Sequence, residues 1–474
     1  MPYEYLPASL ASILLSFEGC FTRPSFANFT LMVTGWILCP GRHSISRVVQ
    51  AAGVGARRKH HATLYRFLSR GRWTAEALGQ VLFKLLVPLL DGEIVAIVDD
   101  TLCHKSGPHL FGAGMHHDAA RSTYGRGSAV GRYVSFAFGH NWVVVSIWIP
   151  MPWNPARGWA LPVLFRLYRS RKRCPPSLYT KRTELAAEMI RQLASWVPES
   201  HRLLVTGDSE YACRTLVRPL PAEVDFVGPV PLNAALHEVP PAYRGHGRPA
   251  RKGARLPSPR QLAESSSIPW THHTVAIYGK TVTLWSKSVV CLWYTVAGTR
   301  PVRVVITHDP TGRFADRAFF STAPETSVNA ILVTFAKRWE LEVTFRNTKQ
   351  TLGLEDPQNG WWRAQAGKAP KAKRPGPNAK GRRGEGAVRH TVPLVFLTYS
   401  LVVLWYVRRA RWDHDVQRAR SEAPWYRHKC TPSFSDALAA LRRELWLQRL
   451  STHPTLWKAR AKVRKLLPTW LLAA

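Results

Sequence analysis

The sequence predicts an α/β protein in which an all-helical segment precedes a mixed core, and three observations carry that prediction. From Pro7 to about Leu90 apolar residues recur at helical spacing with no β-type alternation. After Gly92 short, uninterrupted apolar runs begin, as expected of strands buried on both faces, and the first of them ends in Asp99-Asp100-Thr101. Beyond Arg260 the alternation is that of successive strands, until a basic, helical pattern takes over near Phe335.

The helical segment reads as Ser9 to Phe21, Phe26 to Leu38, Ser44 to Gly53, His61 to Ser69 and Ala75 to Leu90. Within it, a helix ending at Gly53, a basic turn at Arg57-Arg58-Lys59-His60 and a second helix carrying Leu64, Phe67 and Leu68 have the layout of a helix-turn-helix. Two bundle helices joined by a solvated basic loop give the same pattern. Ile94 to Val98 is the first strand, delivering carboxylates at its end. Tyr133 to Phe138 and Trp142 to Ile149, separated by Gly139-His140-Asn141, read as a hairpin. Thr180 is placed to cap a helix whose apolar stripe is Leu185, Met189, Leu193 and Trp196. Arg202 to Thr206 is a second short strand, running out at Gly207-Asp208; a helix over Tyr211 to Val217 and a strand at Val224 to Val227 follow.

Strand with an acid, hairpin, helix, strand with an acid, helix, strand, and later a helix with an acid is the order of a ribonuclease-H-like fold. In it the first strand and the strand after the helix lie side by side, which would bring Asp99 beside Asp208 and lay Glu342 across them. A Gly/Pro/Arg-rich stretch from Arg244 to Arg260 leads into strands at Val275 to Tyr278, Thr281 to Trp285, Val289 to Val296 and Val302 to Thr307, a β-rich insertion. The expected organisation is a helical, helix-turn-helix-like DNA-binding domain (1–90), the first part of the core (91–239), the insertion (240–325), the second part of the core (326–410) with a basic mobile loop at 363–389, and a basic helical C-terminal region (411–474).

Charge sets the partner. The 66 Lys and Arg against 30 Asp and Glu give a formal charge of +36 over 474 residues, which suits a polyanion, and phosphate neutralisation makes nucleic acid the first candidate over a membrane surface. Met1-Pro2-Tyr3-Glu4-Tyr5 has an acid where a secretory signal needs a basic region, so no signal peptide is expected. Val392 to Val407 is short for a bilayer crossing and includes Pro393, Thr398, Tyr399 and Ser400, so it reads as a buried element. The seven scattered cysteines form no Cys-x-x-Cys pair and fit a reduced cytoplasm without structural zinc.

The stretch from Phe335 to Lys349 carries an acid between two bases. At about 100° per residue, Arg338, Glu342 and Lys349 lie at rotations of roughly 300°, 340° and 320° from Phe335, so one helical face presents all four. An amphipathic helix with ordinary ion pairs has the same spacing, and picking three acids from 30 is cheap; the force of the trio Asp99, Asp208 and Glu342 is its position at two strand ends and on this helix. Carboxylates select hard cations such as Mg²⁺ or Mn²⁺, and three on adjacent elements suit two ions of the kind that drive in-line attack on phosphorus.

The spacing Phe335-x₂-Arg338-x₃-Glu342-x₆-Lys349 resembles the Tyr-Arg-Glu-Lys signature of DDE transposases of bacterial insertion sequences, with Phe in place of Tyr. Val98-Asp99-Asp100-Thr101 resembles that group's first-acid motif and Gly207-Asp208-Ser209-Glu210-Tyr211 its second. Matching on Thr101 makes Asp99 the ligand; a shift by one would make it Asp100. The resemblance implies a transposase that binds terminal inverted repeats in double-stranded DNA, frees a 3′-OH and joins it to target DNA, using Mg²⁺ or Mn²⁺ held by Asp99, Asp208 and Glu342. It implies DNA contacts by Phe335, Arg338 and Lys349 beside those of Arg57, Arg58 and Lys59, a homodimer on DNA, and a cytoplasmic, nucleoid-associated bacterial protein. The Phe335 departure removes a hydroxyl that would meet a phosphate. Trp285 and Trp293 are placed where some relatives hold a flipped base, although core packing explains both. His104, His109, His116 and His117 lack ligand spacing. An inactive DNA-binding regulator on the same fold, or a metal-dependent nuclease without strand transfer, would share these residues.

Overall fold

The computed structural model describes residues 6–53, 59–106, 110–122, 134–241, 243, 245, 249–312, 314–357 and 382–452. Five helices open the chain: α1 (Ala8–Leu15), α2 (Arg23–Leu38), α3 (Ile45–Ala51), α4 (His61–Arg70) and α5 (Ala75–Leu86). Helix α2 is buried almost all round, which is why it shows no polar stripe. It meets α3 at Gly35, where a Cβ would stand 2.3 Å from the Val48 carbonyl oxygen. Arg57 and Arg58 lie outside the described residues. Lys59 is turned inward, donating from Nζ to Asn28 Oδ1 at 2.7 Å.

A ten-stranded mixed sheet follows. Strand β1 (Glu93–His104) pairs antiparallel with β3 (Phe136–Met151), and β3 pairs antiparallel along its other edge with β2 (Gly114–His117) and β4 (Asn154–Tyr168). On its far side β1 runs parallel to β5 (Arg202–Gly207), and β5 parallel to β6 (Val224–Val230). Three antiparallel strands followed by two parallel ones form the ribonuclease-H-like core, with helix α6 (Arg182–Ala194) as the crossover before β5.

Four local expectations are corrected. The hairpin expected around Gly139-His140-Asn141 is one continuous strand, β3, because Gly139 lets the neighbouring backbone come close: a Cβ there would lie 2.2 Å from the Cys103 carbonyl oxygen. Its true hairpin partner, β4, hides behind Pro155, Gly158 and Pro162, and the ladder shifts register between Val145 and Ser146, opposite Pro162. The N-cap of α6 is Lys181 rather than Thr180. Thr281 to Val289, expected as two strands, belong to a single strand that ends at Cys291, and Tyr294–Ala297 is a helical turn.

The stretch expected as an insertion does not form a sheet of its own. Strands β9 (Thr271–Ile277), β10 (Lys280–Cys291), β11 (Val302–His308) and β12 (Arg317–Ser321) continue the core sheet, β12 pairing antiparallel with β6. A separate two-stranded ribbon joins β7 (Leu236–His237) to β8 (Arg255–Leu256).

After short helices α7 (Arg214–Val217), α8 (Pro259–Glu264) and α9 (Tyr294–Ala297) come α10 (Val328–Lys337), α11 (Trp339–Thr351), α12 (Arg382–Arg409), α13 (Trp412–Glu422) and α14 (Phe434–Ser451). Helix α12 is long and apolar enough to cross a bilayer, yet 89% of its most apolar window is buried inside the protein. It is the core helix, packing against α1, α2, α4, α5, α11, α14 and β4. Most of the expected loop 363–389 lies outside the described residues, and its end, from Arg382, is the start of α12. Helix α14 fastens the N-terminal helices: Arg442 donates to the Ile37 and Cys39 carbonyls at 2.6 and 3.1 Å, and Arg449 to those of Ala51 and Ala52 at 3.0 and 2.8 Å. Both arginines therefore satisfy carbonyls that helix ends leave unpaired.

Candidate active site

One mid-strand position, one strand end and one helix build the site: β1, expected to end at Asp99-Asp100-Thr101, runs on to His104 because β3 stays paired with it that far. Val98 is in register with Gly207 across the parallel β1–β5 pair, so Asp99 and Asp208, each one residue further on, emerge side by side. Alternation along β1 sends Asp99 and Asp100 to opposite faces. Asp99 Oδ1 accepts the backbone N–H of Asp100 at 2.8 Å, and Asp208 Oδ1 accepts those of Glu210 and Tyr211 at 2.9 and 3.3 Å, which fixes both carboxyl planes.

Glu342 arrives on α11. The single helix expected from Phe335 to Lys349 is two helices, α10 and α11, joined at Arg338. The amides of Arg338 and Leu341 reach back only three residues, to Phe335 and Arg338 at 3.1 Å each, and this tightened turn interrupts the regular ladder. At the junction Arg338 points its guanidinium into the acids, with Nη1 3.2 Å from Asp99 Oδ2 and 2.7 Å from Glu342 Oε1. Phe335 lies beneath it, its ring packed on Phe319 at 4.8 Å and 5.8 Å from the Arg338 Cζ. Arg338 thus links the first acid to the third.

Burial, followed by the charges of Asp208 and Asp100, holds the Asp99 carboxyl well above the usual range, and Arg338 offsets this only in part. The Arg338 guanidinium is buried as well, but Asp99, Glu342 and Asp208 together raise its pKa. The cluster is therefore rich in negative charge and answered by a single cation. Its donor set is all carboxylate oxygen, which suits a hard divalent ion. As it stands, with Arg338 between Asp99 and Glu342, no three such groups among the described residues are arranged to hold a metal. Arg338 lies between two of the three carboxylates, so a cation bound there would have to displace it.

The other expected site residues fall elsewhere. Lys349 sits at the far end of α11, donating to the Leu102 carbonyl at 2.7 Å and lying 3.6 Å from Glu355. His104 bridges Asp118 and Glu355 through its two ring nitrogens at 2.8 and 2.9 Å, and His109 is outside the described residues. Trp293 is buried edge-on against Phe320, while Trp285 stacks on His272 with ring centroids 5.0 Å apart. Three residues that pattern reasoning missed surround Asp100: Asn141, Arg182 and Tyr211. Tyr211 closes the second-acid motif, but no local signal ties Asn141 or Arg182 to Asp100, since each comes from a different element.

The chain matches the family of DDE superfamily endonucleases over residues 16–283, a span that includes Asp99 and Asp208 and stops before Glu342. No curated protein matches it. Among solved structures, a piggyBac transposase synaptic complex with hairpin DNA, determined by cryo-electron microscopy, is similar over 98% of this chain and 82% of that one, at 11% identity and a TM-score of 0.40. A likeness that loose carries no argument.

Proposed function

This chain belongs to the DDE superfamily endonucleases, and from that premise we propose that it is a DNA transposase, binding the terminal inverted repeats of an insertion sequence, cutting there and joining the freed 3′-OH ends to target DNA. The observation that supports the reading is that Arg338 pairs with both Asp99 and Glu342 while the β1–β5 register sets Asp208 beside Asp99. The sequence contributes the polyanion-seeking charge of +36.

Asp99, Asp208 and Glu342 would hold Mg²⁺ or Mn²⁺. Two such ions supply activation of an attacking water or 3′-hydroxyl and neutralisation of the leaving oxygen. The chain's own part is placement. Backbone amides of Asp100, Glu210 and Tyr211 aim the two aspartates. Arg338, released from Asp99 and Glu342, becomes a bidentate phosphate contact beside the scissile bond, and Phe335 steers it from below. Lys349 keeps α11 against β1 through the Leu102 carbonyl, so its contribution to DNA comes through that docking. Action on two ends at once calls for two copies of the chain on the DNA.

The test is a cleavage and joining assay with purified protein, Mg²⁺ and a labelled duplex bearing the ends that flank the gene, run beside Glu342→Gln. Nicked and joined products that disappear in the variant are expected. Binding without cutting by either protein would replace the transposase reading with a DNA-binding regulator, and cutting without joining would replace it with a nuclease.

A further inference from the structure

Asp100, the neighbour of the first acid, is occupied on every side. Its Oδ1 accepts the Tyr211 hydroxyl at 3.0 Å, and its Oδ2 accepts Asn141 Nδ2 at 2.6 Å and Arg182 Nη1 at 3.0 Å. Arg182, the first residue of α6, extends its other nitrogen, Nη2, to Glu210 Oε2 at 2.8 Å. The amides of Glu210 and Tyr211 are the two that orient Asp208. Two short routes therefore run from Asp100 on β1 to the turn that carries Asp208. One passes through the Tyr211 hydroxyl, and the other through the Arg182 guanidinium and Glu210. The Arg182 guanidinium is also fixed over the Tyr168 ring, with Cζ 5.7 Å from its centroid.

Resting on the function proposed above, we infer that Arg182 and Asp100 are positioning residues that set the separation of Asp99 and Asp208, and hence the affinity of that pair for a divalent cation. With three donors on its oxygens, Asp100 is held in place behind Asp99 and leaves Asp99 as the carboxylate beside Asp208. Partners behind a ligand commonly govern metal affinity by about 10–100-fold. A buried network of this kind acts as a unit, since loss of one member leaves the others unsatisfied. An ion pair that served only stability would leave cation affinity unchanged once the protein had folded.

Mn²⁺ titration of the full-length chain without DNA, followed by electron paramagnetic resonance and accompanied by thermal melts, separates these cases. Wild type is expected to bind and Asp208→Asn to lose binding. Arg182→Gln should weaken Mn²⁺ about 10-fold or more, with Arg182→Lys recovering part of the loss. Tyr211→Phe removes one hydroxyl from a folded protein and should weaken binding in the same direction; it decides the matter should Arg182→Gln fail to fold. Wild-type Mn²⁺ affinity in folded Arg182→Gln, or in Tyr211→Phe if that variant alone folds, overturns the positioning role and leaves the proposed function standing. Absence of Mn²⁺ binding by wild type and by Arg338→Gln, which lacks the competing guanidinium, overturns the metal-dependent reading and this inference with it.

Discussion

Arg338 reaches from the junction of α10 and α11 to Asp99, midway along β1, with Nη1 3.2 Å from Oδ2, and so engages a carboxylate that the proposed divalent cation would need. A guanidinium and a metal ion compete for the same carboxylates. DNA, by offering Arg338 a phosphate, would relieve that competition.

Arg338→Gln is therefore expected to bind Mn²⁺ more tightly than wild type in the absence of DNA, by roughly 10-fold or more given the strength of hydrogen bonds to charged groups. The same variant should cut DNA less well. Isothermal titration of Mn²⁺ into the two proteins checks the first expectation, and equal or weaker affinity in the variant would show that Arg338 is no competitor. Linkage makes the effect reciprocal, so duplex DNA should tighten Mn²⁺ binding in wild type more than in Arg338→Gln.

Asp99 gives a pH signature. Its folded pKa is raised, first by burial and then by Asp208 and Asp100, so the folded chain holds this proton more firmly than the unfolded chain. The resulting destabilisation is absent below the unfolded carboxyl value, grows as pH rises toward the folded value and is complete above it. Asp99→Asn should melt a few degrees above wild type at pH 8 and lose that advantage as pH is lowered toward 5, while cleavage is abolished. A constant melting difference across that range would place the cause elsewhere.

Helix α14 offers a stability test remote from the acids. Arg449→Ala leaves the Ala51 and Ala52 carbonyls without their donors and should cost about 1–3 kcal/mol, read as a lower urea midpoint at unchanged slope. An unshifted midpoint would mean that water replaces the guanidinium without loss.

Gly79 marks where α5 presses on β4. A Cβ there would stand 1.8 Å from the Val163 carbonyl oxygen, backbone that cannot give way as a side chain can. Gly79→Ala, normally favourable within a helix, should instead destabilise by more than about 2 kcal/mol or prevent soluble expression. Wild-type stability in this variant would show the helix free to shift on the sheet.

What the sequence displays is what short-range pattern can carry. The apolar run ahead of Asp208 is legible because a strand buried on both faces must be apolar throughout and stops being so at its end; the run ahead of Asp99 misleads about length, since β1 carries both aspartates in its middle and ends at His104. The spacing of Arg338 and Glu342 survives the break between α10 and α11 because both helices keep right-handed turns through the junction. Pairing is another matter. Strand β4 carries two prolines and a glycine that argue against a strand, and only its partner β3 reveals it. Strands β9 to β12 are read as an insertion from their place between the second and third acids, and nothing in their own residues says that β12 pairs with β6. The ring of donors around Asp100 is drawn from β3, α6 and the turn after β5, so no window of sequence contains it.

Helix α12 is the buried centre against which the first helices and β4 pack, yet it is synthesised after all of them. On the ribosome, the sheet and the N-terminal helices emerge with that apolar face uncovered and must wait for residues beyond Arg382 before the core can close. A nascent chain arrested at Thr351 should thus remain open to protease where the finished protein resists, and resistance of the arrested chain would show that the first helices and sheet close without it. Any DNA activity that needs the closed core would then begin only after the residues of α12 have been made, and stops ahead of Arg382 would yield inert chains instead of shortened enzymes.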